Sequence, residues 1–313
     1  MVPPAVTLAA VVLCCALVVD RLIGDPHSRY HPVALLGTFV GFWGRPAYYP
    51  VQLQRIAGIL LWSLTVVLFA LPFILFTALA PWYLYLIAAP FLLKCCFAWR
   101  SLEEHTLAVV SALNEGVETG REKVRLLVSR DTADLDRHHI LSAGYESMTE
   151  NLTDSIISPL FWFSLFGLTG AAACRAINTM DAMLGYRDER ERIGWWPARS
   201  DDILNYIPAR LTVVLLLIWF ATQGRAAAAW RILRRDARLR PGFNGGIVMA
   251  AMAGGTGIRF EKSGVYSIGD QERTLDEAGP DILRATRAVT LMYAIIACCV
   301  LFLLGATINN IGI

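Results

Sequence analysis

Long uncharged runs, separated by polar stretches, set the pattern of this chain. Four runs carry no Asp, Glu, Lys or Arg, and they cover residues 2–19, 56–93, 156–174 and 288–313. A helix needs about 20 apolar residues to cross a hydrocarbon core of about 30 Å. The second run is long enough for two such helices, with Pro81 at the turn between them. We therefore predict four full spans, near 5–20, 56–79, 82–98 and 288–308.

Two further apolar segments are too short or too interrupted to be ordinary spans. The run at 156–174 contains a proline and two glycines, and residues 211–224 would form a helix of only about 21 Å. Backbone that enters a membrane without crossing it must be covered by protein. We predict shallow or re-entrant helices over 156–174 and 209–224. A model with six full spans is the alternative.

Positive charge orients these segments. Lys and Arg are concentrated in the later polar stretches, whereas the turn at Pro81 has none. The positive-inside rule therefore places Pro81 and the N-terminus outside. The first run is read as a retained span because it lacks the positive start of a secretory signal, which is the alternative. Lys94 is expected to extend its ammonium group to the interface. The predicted cytoplasmic stretches are 21–55, 99–155, 175–208 and 225–287.

Composition supports the same class of protein. Hydrophobic residues make up 56% of the 313 residues, charged residues make up 17%, and the mean hydropathy is +0.49. An average soluble domain is about 45–50% apolar and about 25% charged. These values exclude a water-soluble globule and a disordered chain. The net charge of +2 is too small to indicate nucleic-acid binding. The predicted fold is one all-α, polytopic integral membrane domain, with little of the alternation that signals strands.

An acidic segment lies directly before the third uncharged run. On a helix, Glu146, Glu150 and Asp154 would share one face at i, i+4 and i+8. Like charges at this spacing destabilise a helix by about 0.2–0.5 kcal/mol per pair, and a cation would reverse the sign. Hard oxygen ligands beside a membrane favour Mg²⁺ that carries phosphates. A solvated acidic face is the alternative.

A second polar cluster follows the third uncharged run. Asn178 and Asp181 are i, i+3 neighbours on one helix face, and Arg187 and Arg190 repeat that spacing. Guanidinium groups form planar forks that match carboxylate and phosphate groups. These residues are therefore candidate ligands of a phosphorylated substrate. Surface ion pairing between residues 187 and 190 is the alternative.

A third cluster contains Arg199, Asp201, Asp202 and Asn205, in which Asn205 is expected to share a helix face with both acids. The alternative is a helix capped by Ser200, because acids in a first turn complement the helix dipole.

Asn244 opens a glycine-rich segment that also contains the sequence GGTG at 254–257. Such glycines either let backbone N–H groups approach a phosphate or allow helices to pack closely. No Ser–His or Cys–His pair stands out as a catalytic nucleophile. The residues alone therefore indicate a membrane enzyme whose cytoplasmic-face site uses carboxylates, asparagines and arginines, with Mg²⁺ and a phosphorylated substrate.

Several long motifs, in this order, resemble the CbiB/CobD family of cobalamin biosynthesis, adenosylcobinamide-phosphate synthase. The motifs are DRLIGDP (20–26), HPV (31–33), RSLEEH (100–105), RDT (130–132), ESMTENLTDSIISPLF (146–161), RAINTMDAMLGYRDER (175–190), ARSDDILNYIPARL (198–211) and NGGIVMAAMAGGTGI (244–258). The resemblance implies an ATP-dependent ligation of adenosylcobyric acid to 1-aminopropan-2-ol phosphate or ethanolamine phosphate. It also implies Mg²⁺ as a cofactor. The implied partners are the two substrates, membrane lipid and other membrane enzymes of late cobalamin biosynthesis.

We assign roles to the motif residues as hypotheses. The predicted catalytic residues are Glu146, Glu150, Asp181 and Asp202. The predicted Mg²⁺ ligands are Glu150, Asp154, Asp181 and Asp202. The predicted substrate- or ATP-binding residues are Arg130, Asn151, Asn178, Arg187, Arg190, Arg199, Asn205 and Asn244.

Two other functions stay open at this point. A Mg²⁺-dependent membrane transferase acting on a phosphorylated lipid-type substrate also uses acidic motifs, but the paired Asp blocks typical of such enzymes are not found. A transporter or scaffold is the other alternative, although a transporter should carry its ionisable residues at mid-span.

Overall fold

The computed structural model describes residues 5–25 and 28–311, and it is almost entirely helical. Its helices are α1 (Ala5–Ile23), α2 (Pro32–Trp43), α3 (Gln54–Leu79), α4 (Trp82–Lys94), α5 (Trp99–Glu115), α6 (Val117–Val124), α7 (Arg137–Asn151), α8 (Ser158–Leu184), α9 (Trp195–Leu204), α10 (Tyr206–Thr222), α11 (Ala226–Asp236), α12 (Gly245–Thr256) and α13 (Leu275–Ile311). A 3₁₀ turn forms at Pro46–Tyr48 and a π-helical turn at Leu152–Ile157. Two strands, β1 (Phe260–Lys262) and β2 (Tyr266–Ile268), pair antiparallel.

The predicted fold class is confirmed. By length and composition, four helical stretches of the described chain can cross a membrane, and α9 with α10 would make a fifth, broken span. The four are Gln54–Leu79, Trp82–Glu115, Arg137–Leu184 and Leu275–Thr307. The segments predicted at 56–79, 82–98 and 288–308 lie within three of these stretches. The segment near 5–20 lies in α1, whose 19 residues give about 28 Å of helix.

The apolar segment at 156–174 folds back on itself as a helical hairpin, although the stretch Arg137–Leu184 that contains it is long and apolar enough to cross a membrane. Helical geometry stops at Phe166 (φ −129°, ψ 16°) and Gly167 (φ +62°, ψ −153°) within α8. The arms on either side then meet, because the hydroxyl of Ser158 lies 3.4 Å from the sulfur of Cys174. In a straight helix these residues would be about 24 Å apart. Phe166, at the tip, is 64% exposed, as expected of an apolar tip that faces lipid.

Gly170 sets how closely the two arms of this hairpin approach. A Cβ atom placed there would lie 2.3 Å from the backbone oxygen of Trp162. We expect Gly170→Ala to destabilise the protein by about 1–3 kcal/mol, because the backbone of one arm must move. Gly37→Ala is the matched control, since its Cβ would make an ordinary 3.7 Å contact with Met183. Unfolding in detergent measures both variants, and equal stabilities would contradict the close approach.

One compact unit comprises the described parts of residues 1–98, 158–205 and 294–313. Its core is formed by α2, α8 and the segment before α9, with α3 packed against it, and includes Trp43, Met180 and Ile193. Trp43 donates a hydrogen bond from its indole nitrogen to Thr65 on α3 at 3.2 Å. Only 17% of the most apolar stretch of α3 is buried. Such an exposed apolar helix indicates a surface that faces lipid.

The same unit holds an ion pair that the sequence did not predict. Lys94 is only 5% exposed, and its ammonium nitrogen lies 3.2 Å from a carboxylate oxygen of Asp20, which is fully buried. Asp25 pairs with the same ammonium group. The expectation that Lys94 extends to the interface is therefore wrong. Two carboxylates hold the ammonium group inside the unit, where burial of the charge is compensated.

The second compact unit comprises residues 99–157 and 206–293. Helix α12 lies at its centre, with every residue from Val248 to Thr256 buried, and it packs on α10, α11 and α7. The hairpin β1–β2 packs against α7. Its strands have three residues each, too few to produce a visible alternation in the sequence.

Candidate functional site

Helix α7 and the π-helical turn after it carry the predicted acidic cluster. The face predicted from α-helical spacing holds for Glu146 and Glu150, both on α7. Asp154 lies in the π turn, which has more residues per turn than an α-helix. Asp154 is therefore not aligned with Glu146 and Glu150 on one helix face. Its carboxylate nevertheless remains close enough to contribute to the field at Arg240. A π turn is rare and is often found at functional sites.

Glu146 is buried and held by three neighbours. Tyr266 on β2 donates its phenolic hydrogen to the carboxylate at 2.7 Å, and Ser142 donates from one turn earlier on α7. Arg130 approaches the same carboxylate oxygen as Tyr266, at 3.4 Å. Burial and the neighbouring carboxylate raise the pKa of Tyr266, which therefore stays a hydrogen-bond donor. The carboxylate orientation is thus fixed from three sides.

Arg130 connects this carboxylate to a cavity. The cavity has a volume of about 490 Å³ and is lined by the segment 129–133, by polar residues of α6 that include Arg121, and by Arg125 directly after that helix. The ε nitrogen of Arg130 is buried and has no hydrogen-bond partner among the described residues. Its three arginines are matched by three carboxylates, those of Glu118, Glu122 and Asp131, so the cavity is polar but carries no net positive charge.

The other predicted residues of this unit are engaged with near neighbours. Glu150 pairs with Arg240 at 2.8 Å. Asn151 accepts a hydrogen bond from Ser155 at 2.7 Å, across the start of the π turn. Asn244 is buried and accepts a hydrogen bond from Arg210 at 2.7 Å. Tyr266 and Arg240 were missed by the sequence analysis because no spacing rule links them to α7.

The glycines after Asn244 allow close packing. Gly254 lies against the backbone of α11, where a Cβ would be 2.7 Å from the oxygen of Ala228. Gly255 lies against the ring of Phe220, and Gly257 ends α12 with a φ of +73°. The backbone N–H of Gly257 bonds back to Ala253. These contacts account for the glycines as packing residues, the second of the two readings that the sequence left open.

In the other unit, Asn178 and Asp181 lie on the returning arm of the α8 hairpin. A Cβ on Gly185 would be 2.1 Å from a carboxylate oxygen of Asp181, so glycine is needed where α8 ends beside that side chain. Arg190 makes a bidentate ion pair with Asp188, and its hydrogen bonds lower the pKa of Asp188 to about 2. Arg187 is exposed. Arg190 therefore forms the surface ion pair that the sequence analysis gave as the alternative.

Helix α9 carries the third predicted cluster. It begins at Trp195 after Gly194, so Ser200 is not an N-cap; its hydroxyl donates to the backbone oxygen of Pro197. Asn205 ends the helix, is 1% exposed and donates to Asp201 at 2.9 Å. Asp201 is therefore the buried acid of this pair, whereas Asp202 is half-buried and Arg199 is exposed.

Within residues 5–25 and 28–311, no three His, Cys, Asp or Glu side chains come close enough to hold a metal ion alone. Mg²⁺ often binds through one or two carboxylates and completes its shell with water and substrate phosphates. A Mg²⁺ ion bound by these residues would therefore have at most two of these side chains as ligands.

Comparisons with known proteins agree over most of the chain. Residues 13–292 match the family model described as CobD/Cbib protein. A probable cobalamin biosynthesis protein CobD of Methanothermobacter thermautotrophicus is 44% identical over 267 residues, which cover 85% of this chain and 88% of that protein. A protein of the same name from Pyrococcus abyssi is 42% identical over 294 residues, covering 91% and 92%. The cobalamin biosynthesis protein CobD of Dehalococcoides mccartyi is 36% identical over 274 residues, covering 83% and 86%. No solved structure matches the chain.

Proposed function

The chain belongs to the CobD/Cbib family of cobalamin biosynthesis proteins, and we propose that it is an ATP- and Mg²⁺-dependent acid–amine ligase. The proposed reaction joins adenosylcobyric acid to 1-aminopropan-2-ol phosphate, or to ethanolamine phosphate, and gives adenosylcobinamide phosphate. The proposed location is the cytoplasmic membrane, with the site on the cytoplasmic face, because the arginine-rich stretches fall between the apolar runs.

The chemistry of such a ligation concentrates negative charge. A carboxylate oxygen of the corrinoid acid attacks the γ-phosphorus of ATP, so that an acyl phosphate forms and ADP leaves. The amine then attacks the acyl carbon, phosphate leaves, and the nitrogen loses a proton. Neither step needs a protein nucleophile. Oriented positive groups that stabilise transferring phosphate supply much of the catalysis in such reactions.

The observation that carries the proposal is the pairing of Arg130 with the buried carboxylate of Glu146. A guanidinium group that a fixed carboxylate holds in place is already oriented to bind a phosphate. It does not pair with nearby surface groups instead. Tyr266 and Ser142 hold the carboxylate, and Arg130 lines the cavity of about 490 Å³. In this proposal Arg130 binds a phosphate group, and Glu146 positions Arg130.

Mg²⁺ would neutralise phosphate charge when bound with ATP. Its proposed ligands remain Glu150 with Asp154 in one unit and Asp181 with Asp202 in the other. Glu150 would exchange its ion pair with Arg240 for the cation. Because no three such donors lie together in the described residues, the proposal gives the ion at most two protein carboxylates and leaves the rest of its shell to water and phosphate oxygens.

A ligase assay tests the proposed function. Detergent-solubilised protein is mixed with adenosylcobyric acid, aminopropanol phosphate, ATP and Mg²⁺, and the product is followed by mass spectrometry. We expect adenosylcobinamide phosphate to form, and to vanish when either ATP or Mg²⁺ is omitted. A parallel reaction with ethanolamine phosphate reports the preferred amine. Folded protein that binds the corrinoid but forms no amide with either amine would refute the proposal.

A further inference from the structure

A second cavity, lined by none of the predicted site residues, lies where α10 and α12 end. Its volume is about 350 Å³. Three arginines and one carboxylate line it, with two aromatic side chains beside them: Arg225, Arg273, Arg284, Asp281, Trp219 and Phe220. All of these residues belong to the unit formed by residues 99–157 and 206–293. The cavity therefore combines a cationic part with an aromatic part.

The lining carries a net positive charge. Asp281 accepts a hydrogen bond from Arg273 at 2.7 Å and also pairs with Arg284, so one carboxylate serves two guanidinium groups. Arg225 pairs at 2.8 Å with Glu272, which does not line the cavity. Among the described residues, no group accepts a hydrogen bond from the η1 nitrogens of Arg225 or Arg284. These nitrogens remain available to an anion.

Backbone oxygens fix the arginines in place. The ε nitrogen of Arg225 donates to the oxygen of Gly255 at 3.2 Å, near the end of α12. Arg273 donates to the oxygen of Glu277 at 3.1 Å, and Arg284 to that of Pro280 at 3.3 Å. Of the three, Arg225 lies near the C-terminus of α12, whose dipole stabilises a cation there. An anion would meet guanidinium groups that are already ordered, which lowers the entropic cost of binding.

Trp219 and Phe220 line the same cavity as the arginines. A Cβ on Gly255 would lie 2.1 Å from the ring of Phe220, so the ring packs directly on the backbone of α12. Trp219 precedes it near the end of the apolar helix α10. A cavity of about 350 Å³ is near the lower limit for small-molecule sites. The ligand is therefore small, with a polar head and a short organic part.

We propose that this cavity binds a phosphate ester, with the phosphate on the arginines and the organic part against Trp219 and Phe220. Three guanidinium groups suit a phosphate because it offers more acceptor oxygens than a carboxylate. Two sources share this chemistry: the amino-alcohol phosphate substrate, and the headgroup of an anionic phospholipid. Assignment of the site to the substrate rests on the proposed function.

Two substitutions with opposite expected effects test the site. Isothermal titration of 1-aminopropan-2-ol phosphate into detergent-solubilised protein, without ATP, measures binding independently of turnover. We expect Arg284→Gln to weaken binding at least about tenfold, since a charged hydrogen bond is lost. We expect Asp281→Asn to tighten binding several-fold, because a competing negative charge is removed. Loss of folding cannot produce a gain in affinity. Arg238→Gln, on an exposed arginine, is the matched control.

The source of the phosphate is decided with nanodiscs that contain phosphatidylglycerol or phosphatidylcholine. Binding of aminopropanol phosphate that responds to the two substitutions assigns the site to the substrate. A response confined to phosphatidylglycerol assigns it to a lipid headgroup. Wild-type binding of both probes by both variants would overturn the inference. Product formation by the wild type is scored separately, so phosphate binding without product refutes only the ligase proposal.

Discussion

Replacing Glu146 by glutamine should lower kcat/KM for ligation by about 100-fold, equivalent to about 3 kcal/mol, a cost in the range found when one member of a buried charge pair is removed. The amide can still accept a hydrogen bond from Tyr266, but it no longer balances the charge of Arg130. Arg130 then loses its fixed orientation. Because Arg130 is assigned to phosphate binding, the loss should appear mainly as a raised KM for a phosphorylated substrate.

This division between kcat and KM separates positioning from folding. A variant that merely folds poorly has fewer active molecules, which lowers the apparent kcat and leaves KM unchanged. Glu104→Gln is the control, because Glu104 pairs only with Arg100 on an exposed face of α5 among the described residues. Arg130→Gln combined with Glu146→Gln should cost little more than either alone. Additive losses would show that the two residues act independently, contrary to the proposal.

Replacing Lys94 by methionine is expected to lower the free energy of unfolding by about 3–5 kcal/mol. Methionine fits the volume of the lysine stem but removes the ammonium group that lies 3.2 Å from the fully buried carboxylate of Asp20. The cost arises because a carboxylate in a low-dielectric interior loses the charge that compensated its desolvation. Denaturant titration in detergent measures it.

A second substitution provides the test of this explanation. Asp20→Asn, added to Lys94→Met, removes the uncompensated charge and should recover a large part of the lost stability. Lys123→Met, on an exposed lysine of α6, should change stability by less than about 0.5 kcal/mol. If Lys94→Met proves no worse than Lys123→Met, or if the double substitution recovers nothing, the buried pair does not carry the stability assigned to it.

The membrane helices could be predicted because lipid imposes one simple condition, an uncharged run of sufficient length. That condition located α3, α4 and the apolar part of α13. It also marked 156–174 as irregular, because Pro159, Gly167 and Gly170 interrupt a run that is otherwise long enough, and the chain reverses there at Phe166 and Gly167. The sequence could not show how tightly the hairpin closes, since the contact between Trp162 and Gly170 depends on the path of the chain after the turn.

Less of the site than of the membrane helices could be predicted from the sequence, for physical reasons. Spacing on a helix relates residues of one element, so it linked Glu146 to Glu150 but not to Tyr266, which lies 120 positions later. Helical spacing also treated Asp201 and Asp202 alike, whereas only packing makes Asp201 the buried partner of Asn205. Lys94 was misplaced for the same reason, because its acidic partners lie far away in the sequence.

The hairpin within α8 also bears on how this protein enters its membrane. A segment that returns at its tip leaves at the bilayer surface where it entered. If the hairpin re-enters the membrane as the sequence predicts, the arginines that follow it, at 187, 190 and 199, need not be translocated during biosynthesis. A crossing helix in its place would require the insertion machinery to move that positive stretch to the opposite side, against the usual bias of membrane insertion. In the predicted topology, the two non-helical residues at Phe166 and Gly167 thus spare the nascent chain a translocation step.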